Sequence, residues 1–387
     1  MNATVAIVGA GPIGLYLSLA LEHRGIRAAV IDRRREDVSQ GAVLGVHPPA
    51  LDRIEEIGLV DELVAHGVRI HHGLAFGEHE LLGEVDFGAS ARHRFVLSIP
   101  QRAVERILGR ARVERGAPAI ERAEVVAVTA PGRRPTLVLG AASHPRSASF
   151  EAVVGCDGKR STVRAWLGVG FDGAPYPGAY AVADFPDRTT LGTDAAVFSS
   201  RRGVVETFPV VGGARRWIAR CDDARVPSPA AALVHAMELC IPRWAKERVP
   251  VLPSSADASN AKWFRAERYL ASHLAVERVA LAGDAAHVLS PIGGRGMNLG
   301  WMGASSVADA LSLGLAGGSV AECLAEDARL RRNIAKAAVE RADLDIWVGR
   351  PLPTSAAAER GIRGLLTAPL DRVFGRMFGA RRLAFGV

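Results

Sequence analysis

The segment VAIVGAGPIGLYLSLALEHRGIRAAVIDR, residues 5–33, decides the fold. It begins with a continuously apolar run, Val5 to Val8, of the kind found in strands that are buried on both faces. A glycine-rich turn and a helical pattern from Pro12 to His23 follow. A second apolar run then ends at Asp32. The order strand, turn, helix, strand predicts a βαβ unit and therefore a parallel sheet.

The turn in this unit carries the spacing G-x-G-x-x-G at Gly9, Gly11 and Gly14. In this context the first glycine permits a tight turn, the second lets the backbone approach a pyrophosphate, and the third lets helix and strand pack closely. The helix start supplies N–H donors for phosphates, and the acid after the second strand suits a ribose diol. The segment therefore predicts binding of the ADP part of a dinucleotide. The predicted contacts are Gly9, Gly11, Pro12, Ile13, Gly14, Asp32 and Arg33.

Two further segments carry chemistry. VVGCDGKRSTVRAWLG, residues 153–168, follows an apolar run with Asp157 and Gly158. LAGDAAHVLSPIGGRGMNLG, residues 281–300, places a carboxylate, a proline and several glycines before a helical pattern. Bare backbone there permits close approach of a flat ring, and N–H groups at a helix start stabilise negative charge.

Together with the N-terminal unit, these segments resemble the single-component flavoprotein aromatic hydroxylases, the family of p-hydroxybenzoate hydroxylase, from Val5 to about Ala310. The resemblance implies that FAD is bound, that Asp284 holds its ribityl chain, and that the following turn lies along the pyrophosphate and the isoalloxazine. It also places the backbone near Pro291 by the reacting edge of the ring, and no catalytic side chain is assigned. The remaining cofactor contacts that it implies are Gln101, Asp157, Asp284, Pro291, Gly293, Gly294, Gly296, Met297 and Asn298.

Two of these residues have a purely structural alternative, and two positions depart from the family pattern. Asp157 could cap the helix near Ser161, and Gln101 could be only a polar residue at a helix start. The family often has Arg where this chain has Ala42, and it usually has an acid where this chain has Gly303. These departures affect the expected flavin mobility and fine geometry more than FAD binding itself.

The predicted fold is α/β, a Rossmann-like FAD-binding domain with an inserted antiparallel-sheet substrate domain. Strand-like pieces recur between residues 171 and 265 and interrupt the pattern of buried apolar strands and helices. This pattern returns at Arg278. The first part of the predicted FAD-binding domain is residues 1–170, with a small sheet and helix section at about 70–115. The predicted substrate domain is 171–265, the second part of the FAD-binding domain is 266–349, and a C-terminal helical tail is 350–387.

The resemblance implies an FAD-dependent monooxygenase in which NADPH or NADH reduces the flavin and O₂ adds at flavin C4a. The resulting hydroperoxide would hydroxylate an aromatic small molecule such as a phenol, a quinolone or a polycyclic compound. The alternatives are epoxidation, Baeyer–Villiger oxidation, hydroxylation of a prenylated quinone precursor at a membrane, and FAD binding without catalysis.

Composition limits the partners. The net charge of +7 comes from arginine, and no basic patch is interleaved with aromatic residues, so nucleic-acid binding is not expected. The four cysteines form no C-x-x-C pair and no zinc spacing, the pair His71-His72 lacks further ligands, and no metal site is predicted. No integral membrane span is expected, although the basic tail could contact a membrane surface. We expect a cytoplasmic monomer or homodimer.

Overall fold

The computed structural model describes residues 3–34, 43–87, 92–140, 146–221 and 228–348. The predicted tail at 350–387 and the departure at Ala42 lie outside the described residues. The helices in these ranges are α1 Pro12–Glu22, α2 Pro48–Glu56, α3 Val60–Ala65, α4 Gln101–Glu114, α5 Thr162–Trp166, α6 Pro229–Cys240, α7 Arg295–Leu315 and α8 Val320–Val348.

The strands form several sheets. They are β1 Val5–Val8, β2 Ala28–Ile31, β3 Val43–Val46, β4 Val68–Ile70, β5 His72–Phe76, β6 Leu81–Asp86, β7 Val96–Pro100, β8 Val125–Thr129, β9 Thr136–Leu139, β10 Arg146–Ser149, β11 Ala152–Gly155, β12 Phe171–Pro175, β13 Tyr180–Pro186, β14 Ala195–Ser200, β15 Gly203–Val210, β16 Ala214–Arg220, β17 Ser259–Phe264, β18 Glu267–Ala271, β19 Ala275–Val276, β20 Val279–Leu281 and β21 His287–Val288.

The central sheet has the strand order β19-β20-β11-β1-β2. Strands β2, β1, β11 and β20 run parallel, and Val5 lies opposite both Ala28 and Ala152. One face packs against α1, α4 and α7, and the other packs against the sheet that contains β8 and β9. Because both faces are covered, every residue of β1 and β2 is buried, as their continuous apolar runs predicted.

The largest sheet has the order β17-β13-β16-β15-β14-β5-β6. Its pairings are antiparallel except that β14 runs parallel to β5. Strands β5 and β6 come from residues 72–86, well before the predicted insert, and complete one edge of this sheet. The domain boundaries stay a prediction, and the sheet itself draws on two separate segments of the chain.

The segment from residue 48 to residue 65 does not form a single helix. The structure has two helices, because the chain turns at Gly58 with a φ of 68°. The Leu59 N–H donates to the carbonyl of Ile54 and closes the end of α2. Glycine takes this left-handed conformation at little cost, so the break has a local cause.

Among the helices that the structure describes, none combines the length and the apolar character that a crossing of the bilayer demands.

Candidate functional site

A groove of about 420 Å³ lies where the parallel strands of the central sheet end. Gly9 follows β1, Asp32 follows β2, Asp157 follows β11 and Asp284 follows β20, and all four line the groove. Carboxyl ends of parallel strands share one edge of a sheet, and ligands of such folds bind there. Of the residues predicted to contact the cofactor, the groove brings together Gly9, Gly11, Pro12, Ile13, Asp32, Arg33, Gln101, Asp157, Asp284, Gly296 and Met297.

The three glycines of the first turn have different surroundings. A Cβ on Gly9 would lie 2.3 Å from the carbonyl oxygen of Cys156, and one on Gly14 would lie 1.9 Å from the carbonyl oxygen of Gly9. A Cβ on Gly11 would meet no protein atom within 4 Å. Gly9 and Gly14 therefore permit close packing of the chain on itself, whereas Gly11 keeps the groove open at the start of α1. The first N–H groups of α1 have no intrahelical acceptor and favour an anion there.

Asp32 is held in place from two sides. Its Oδ2 accepts a 2.6 Å hydrogen bond from the N–H of Ala10, and its Oδ1 accepts a 2.8 Å hydrogen bond from the N–H of Arg34. The Arg34 guanidinium adds an ion pair at 2.9 Å. Burial would raise the pKa of Asp32, but the hydrogen bonds from Arg34 and Ala10 outweigh it and lower the pKa. Asp32 therefore stays ionised and remains a hydrogen-bond acceptor at neutral pH.

Asp284 lies at the other end of the groove. The surrounding protein raises the pKa of its carboxyl to about 6, and the charge of Lys159 opposes this shift. The side chain is nevertheless exposed to the open groove, so water in the groove screens the shift. A cofactor that covers the groove removes this water and strengthens the effect of desolvation.

Asp157 acts as a cap in this structure. Its Oδ2 accepts hydrogen bonds from the N–H groups of Thr162 at 2.7 Å and Val163 at 3.1 Å, at the start of α5. Ser161 caps the same helix by accepting from the N–H of Arg164. The structural alternative for Asp157 is thus observed directly. Its other oxygen, Oδ1, is buried with no hydrogen-bond partner among the described residues, and the cofactor contact remains a prediction.

Gln101 begins α4 and lines the groove beside Glu105, one turn later. The Gln101 side-chain amide donates to Glu105 at 2.9 Å. Sequence reasoning missed Glu105, although the i, i+4 spacing from Gln101 places both on one face of the helix. It also missed Cys156 and Arg160, which line the groove on either side of Asp157.

The start of α7 separates the groove from a second space. Gly296 and Met297 line the groove, whereas Pro291, Gly293 and Gly294 line a chamber of about 560 Å³. Gly293 and Gly294 both have positive φ angles, 74° and 63°, which brings the chain around this corner with bare backbone.

Two predicted contact residues line neither space. Gly14 packs on Gly9 as described above. Asn298 is 1% exposed; its amide donates to the carbonyls of Gly45 at 2.7 Å and Gly294 at 2.6 Å, and its Oδ1 accepts from the N–H of His47 at 2.8 Å. Asn298 therefore positions the backbone that forms the chamber wall.

One face of the largest sheet forms a second wall of the chamber, and the small sheet β3-β7-β4 also contributes to the lining. The sequence predicted a substrate domain here, and side chains along each of its strands alternate between two faces. On β13, β16 and β17 the even-numbered residues face the chamber, and the main examples are Val182, Arg216, Ile218, Lys262 and Phe264. The odd-numbered residues of these strands turn the other way, where Ala181, Ala183, Phe185, Trp217 and Ala219 form a core with α6.

The chamber is mostly apolar, with charged groups at defined positions. Arg216 forms a buried ion pair with Asp184, with distances of 2.6 and 2.8 Å. Lys262 and Arg265 line the chamber from exposed positions on its rim. Desolvation, with the charge of Arg295, lowers the pKa of His47 to about 4, so its ring is neutral at pH 7 beside the Gly293 carbonyl.

The groove and its donor set fit FAD. The groove joins a carboxylate at one end, the unsatisfied N–H groups of α1 in the middle and a second carboxylate at the other end. The open space at Gly11 and the bare backbone at Gly293, Gly294 and Gly296 leave room for a pyrophosphate and a flat ring. Asp32 would hold the adenosine ribose and Asp284 the ribityl chain.

Comparison with known proteins agrees with this arrangement. The family described as FAD binding domain matches residues 2–342. The chain is 31% identical over 318 residues to a rifampicin monooxygenase of Rhodococcus hoagii, covering 80% of this chain and 62% of that protein. It is 29% identical over 395 residues to a 3-(3-hydroxy-phenyl)propionate/3-hydroxycinnamic acid hydroxylase of Mycobacterium sp. (strain JLS), covering 95% and 64%. The chain thus spans a little under two thirds of the length of these relatives.

The architecture also matches a solved structure. An anhydrotetracycline hydroxylase from Streptomyces rimosus superposes with a TM-score of 0.75 at 27% identity, covering 98% of this chain and 76% of that one. The predicted α/β fold and the resemblance to the single-component flavoprotein aromatic hydroxylases are confirmed. The chain belongs to the FAD-binding domain family.

Proposed function

We propose that this protein is an FAD-dependent monooxygenase that uses NADPH or NADH and O₂ to hydroxylate an aromatic small molecule. The observation that carries the proposal is the shared wall at the start of α7. Gly293 and Gly294 face the apolar chamber, and Gly296 and Met297 face the cofactor groove. A ring bound along this wall would lie between the two spaces.

The overall reaction transfers one oxygen atom of O₂ to the substrate and the other to water, with two electrons supplied by NAD(P)H. The chemistry that FAD supplies when bound is acceptance of those electrons and activation of O₂. The protein holds the cofactor through Asp32, the α1 N-terminus and Asp284. The apolar chamber wall, which includes Val182, Ile218 and Phe264, excludes water and orients the substrate.

An aromatic substrate suits the size and the surface of the chamber. A space of about 560 Å³ lies in the range of small-molecule pockets, which are mainly apolar with a few placed polar groups. The relatives point the same way by name, since their names include hydroxyphenyl compounds and rifampicin. As part of the proposal we place the enzyme in the cytoplasm, where NAD(P)H is available and where cysteines that form no disulfide are stable.

The proposal is tested by anaerobic reduction of the FAD-loaded protein. NADPH or NADH is mixed with the protein in a stopped-flow spectrometer, with and without a panel of phenols, quinolones and polycyclic aromatics. We expect at least one aromatic to accelerate the bleaching of the flavin absorbance. The same compound should then support O₂ uptake and yield a product 16 mass units heavier than the substrate.

The control is a variant that blocks the chamber and leaves the groove intact. Val182→Trp places a large ring on the chamber face of β13. It should retain FAD and lose the acceleration by the aromatic. Loss of FAD in this variant, or equal bleaching rates in the original protein with and without every aromatic, would contradict the proposal.

A further inference from the structure

Three side chains converge outside the groove and the chamber. Asp52 and Glu55 lie one turn apart on α2, and His93 lies in the segment that leads into β7. One ligand atom from each lies within 4.8 Å of the others. Glu55 Oε2 is 3.2 Å from His93 Nε2, and Asp52 Oδ1 is 3.8 Å from the same nitrogen.

Glu55 and His93 lie within hydrogen-bond distance, whereas Asp52 is placed near His93 without a hydrogen bond to it. Ligand atoms bound at 2.0–2.2 Å to a tetrahedral ion lie about 3.3–3.6 Å apart, and the two observed separations bracket this range. At 3.8 Å, Asp52 Oδ1 is too far from His93 for a hydrogen bond. That oxygen is shielded from solvent and has no hydrogen-bond partner among the described residues.

The neighbours of Glu55 and His93 already orient these two side chains. Arg92 donates to Glu55 Oε1 at 2.9 Å, which leaves Oε2 turned toward His93. The His93 ring packs edge-on against Phe95, at 6.1 Å between ring centroids, and its side chain is 14% exposed. Such outer contacts fix ligand orientation in metal sites, and the exposed side leaves room for water as a further ligand.

We propose that Asp52, Glu55 and His93 form a binding site for a divalent transition-metal ion such as Zn²⁺. A donor set of one imidazole nitrogen and two carboxylate oxygens suits Zn²⁺ and its neighbours in the first transition row, whereas Mg²⁺ and Ca²⁺ prefer oxygen alone. The ion would tie α2 to the segment before β7. Because β7 contributes Val96 and Ser98 to the chamber, this tie would stabilise one chamber wall. The positive charges of Arg53 and Arg92 near Asp52 weaken the binding.

A neighbouring histidine offers a matched control. His72 also lies between two carboxylates, Glu84 and Asp194. Glu84 lies 3.8 Å from its Nε2 and Asp194 lies 3.5 Å from its Nδ1, on opposite edges of the ring. One ion cannot bind all three of these groups. His72→Gln therefore tests whether any histidine beside two acids takes up metal.

The experiment uses the FAD-loaded full chain without a polyhistidine tag, stripped with EDTA and titrated with ZnCl₂ in a calorimeter. We expect about one equivalent to bind and to raise the Tm by about 2 °C or more, with no such rise from MgCl₂. Co²⁺ should give visible d–d bands. His93→Gln and Asp52→Asn should lose this site and its bands, while His72→Gln should retain both.

Circular dichroism and FAD content establish that each variant is folded. Zinc binding that is equal in the original protein and in His93→Gln would overturn the proposal, because it would come from other surface groups. An equal loss in His72→Gln would also overturn it. The readouts are stoichiometry, Tm and the Co²⁺ spectrum, so failure of this proposal is separate from failure of the proposed monooxygenase activity.

Discussion

The side-chain oxygen of Asn298 accepts a 2.8 Å hydrogen bond from the backbone N–H of His47, across 251 residues of chain. This bond joins the first turn of α7 to the residue that precedes α2. The same amide donates to Gly45 and Gly294, so one side chain binds three backbone groups in the two segments that meet at the corner between groove and chamber.

Replacement of Asn298 by alanine should loosen this corner. Three partly buried backbone groups would lose their partner, and we expect the free energy of unfolding to fall by about 2–4 kcal/mol. FAD affinity should fall as well. Urea unfolding and flavin-fluorescence titration measure the two effects. Leu313→Ala, at a 53% exposed position on the same helix, should change neither.

Gly11 and Gly14 should respond differently to the same substitution. In Gly14→Ala the new methyl would collide with the carbonyl oxygen of Gly9, and we expect a loss of about 3 kcal/mol or more in stability. In Gly11→Ala the methyl meets no protein atom, so the fold should persist while FAD binds at least about tenfold more weakly. Thermal unfolding with FAD titration separates these outcomes. Normal FAD binding by Gly11→Ala would contradict the proposal that FAD binds in the groove beside Gly11.

Asp32→Asn should weaken FAD binding with little change of shape. The charged carboxylate, which accepts from the N–H of Ala10 and would accept from the ribose, becomes a neutral amide. Hydrogen bonds to a charged group contribute roughly 1.5–3 kcal/mol, which corresponds to a Kd about 10- to 100-fold higher. Glu124→Gln, at a 58% exposed side chain that lines the same groove, is the control and should bind FAD almost normally. Equal losses in both variants would contradict a specific role for Asp32.

His287 should make the protein acid-sensitive. It is 4% exposed, and burial together with the charge of Arg331 lowers the pKa of its ring from 6.5 to about 4. Between these values the unfolded chain binds a proton that the folded chain does not, so stability is full above pH 6.5 and falls as the pH drops toward 4. A drop from about pH 7 to pH 4.5 should therefore lower the free energy of unfolding by about 2–3 kcal/mol.

The measurement is urea unfolding of the original protein and of His287→Gln at both pH values. When the pH is lowered, the free energy of unfolding of the variant should rise by that amount relative to that of the original protein. Other titrating groups cancel in this comparison. An unchanged difference would show that His287 titrates with an ordinary pKa.

Removing one partner of the buried pair of Arg216 and Asp184 should destabilise the protein more than replacing both partners. Asp184→Leu leaves a buried guanidinium without its carboxylate and should lower stability by about 3–5 kcal/mol. The double variant Asp184→Leu, Arg216→Met removes both charges and should recover at least half of that loss. A double-mutant cycle by urea unfolding tests this, and additive losses would contradict the coupling.

Much of the cofactor groove could be predicted from sequence because its residues follow strands in short, local motifs. Gly9 and Asp32 belong to one βαβ unit, and the glycines near Gly293 show bare backbone directly. Cys156 was missed because nothing in its own surroundings distinguishes it from an ordinary strand-end residue, and Glu105 was missed because only its spacing from Gln101 indicates it. Asn298 was predicted as a cofactor contact, and the structure places it behind the backbone that lines the chamber.

The sequence by itself determined the parallel unit, the ends of its strands and the class of ligand, because backbone conformation and strand order follow from nearby residues. Only the tertiary structure decided which face of the large sheet lines the chamber. Alternation gives two equivalent choices, and the packing of α6 against Ala183 and Trp217 selects one. It also decided that β5 and β6 join that sheet and that His93 meets Asp52 and Glu55. Such contacts depend on how distant segments pack, and no pattern of neighbouring residues in the sequence predicts them.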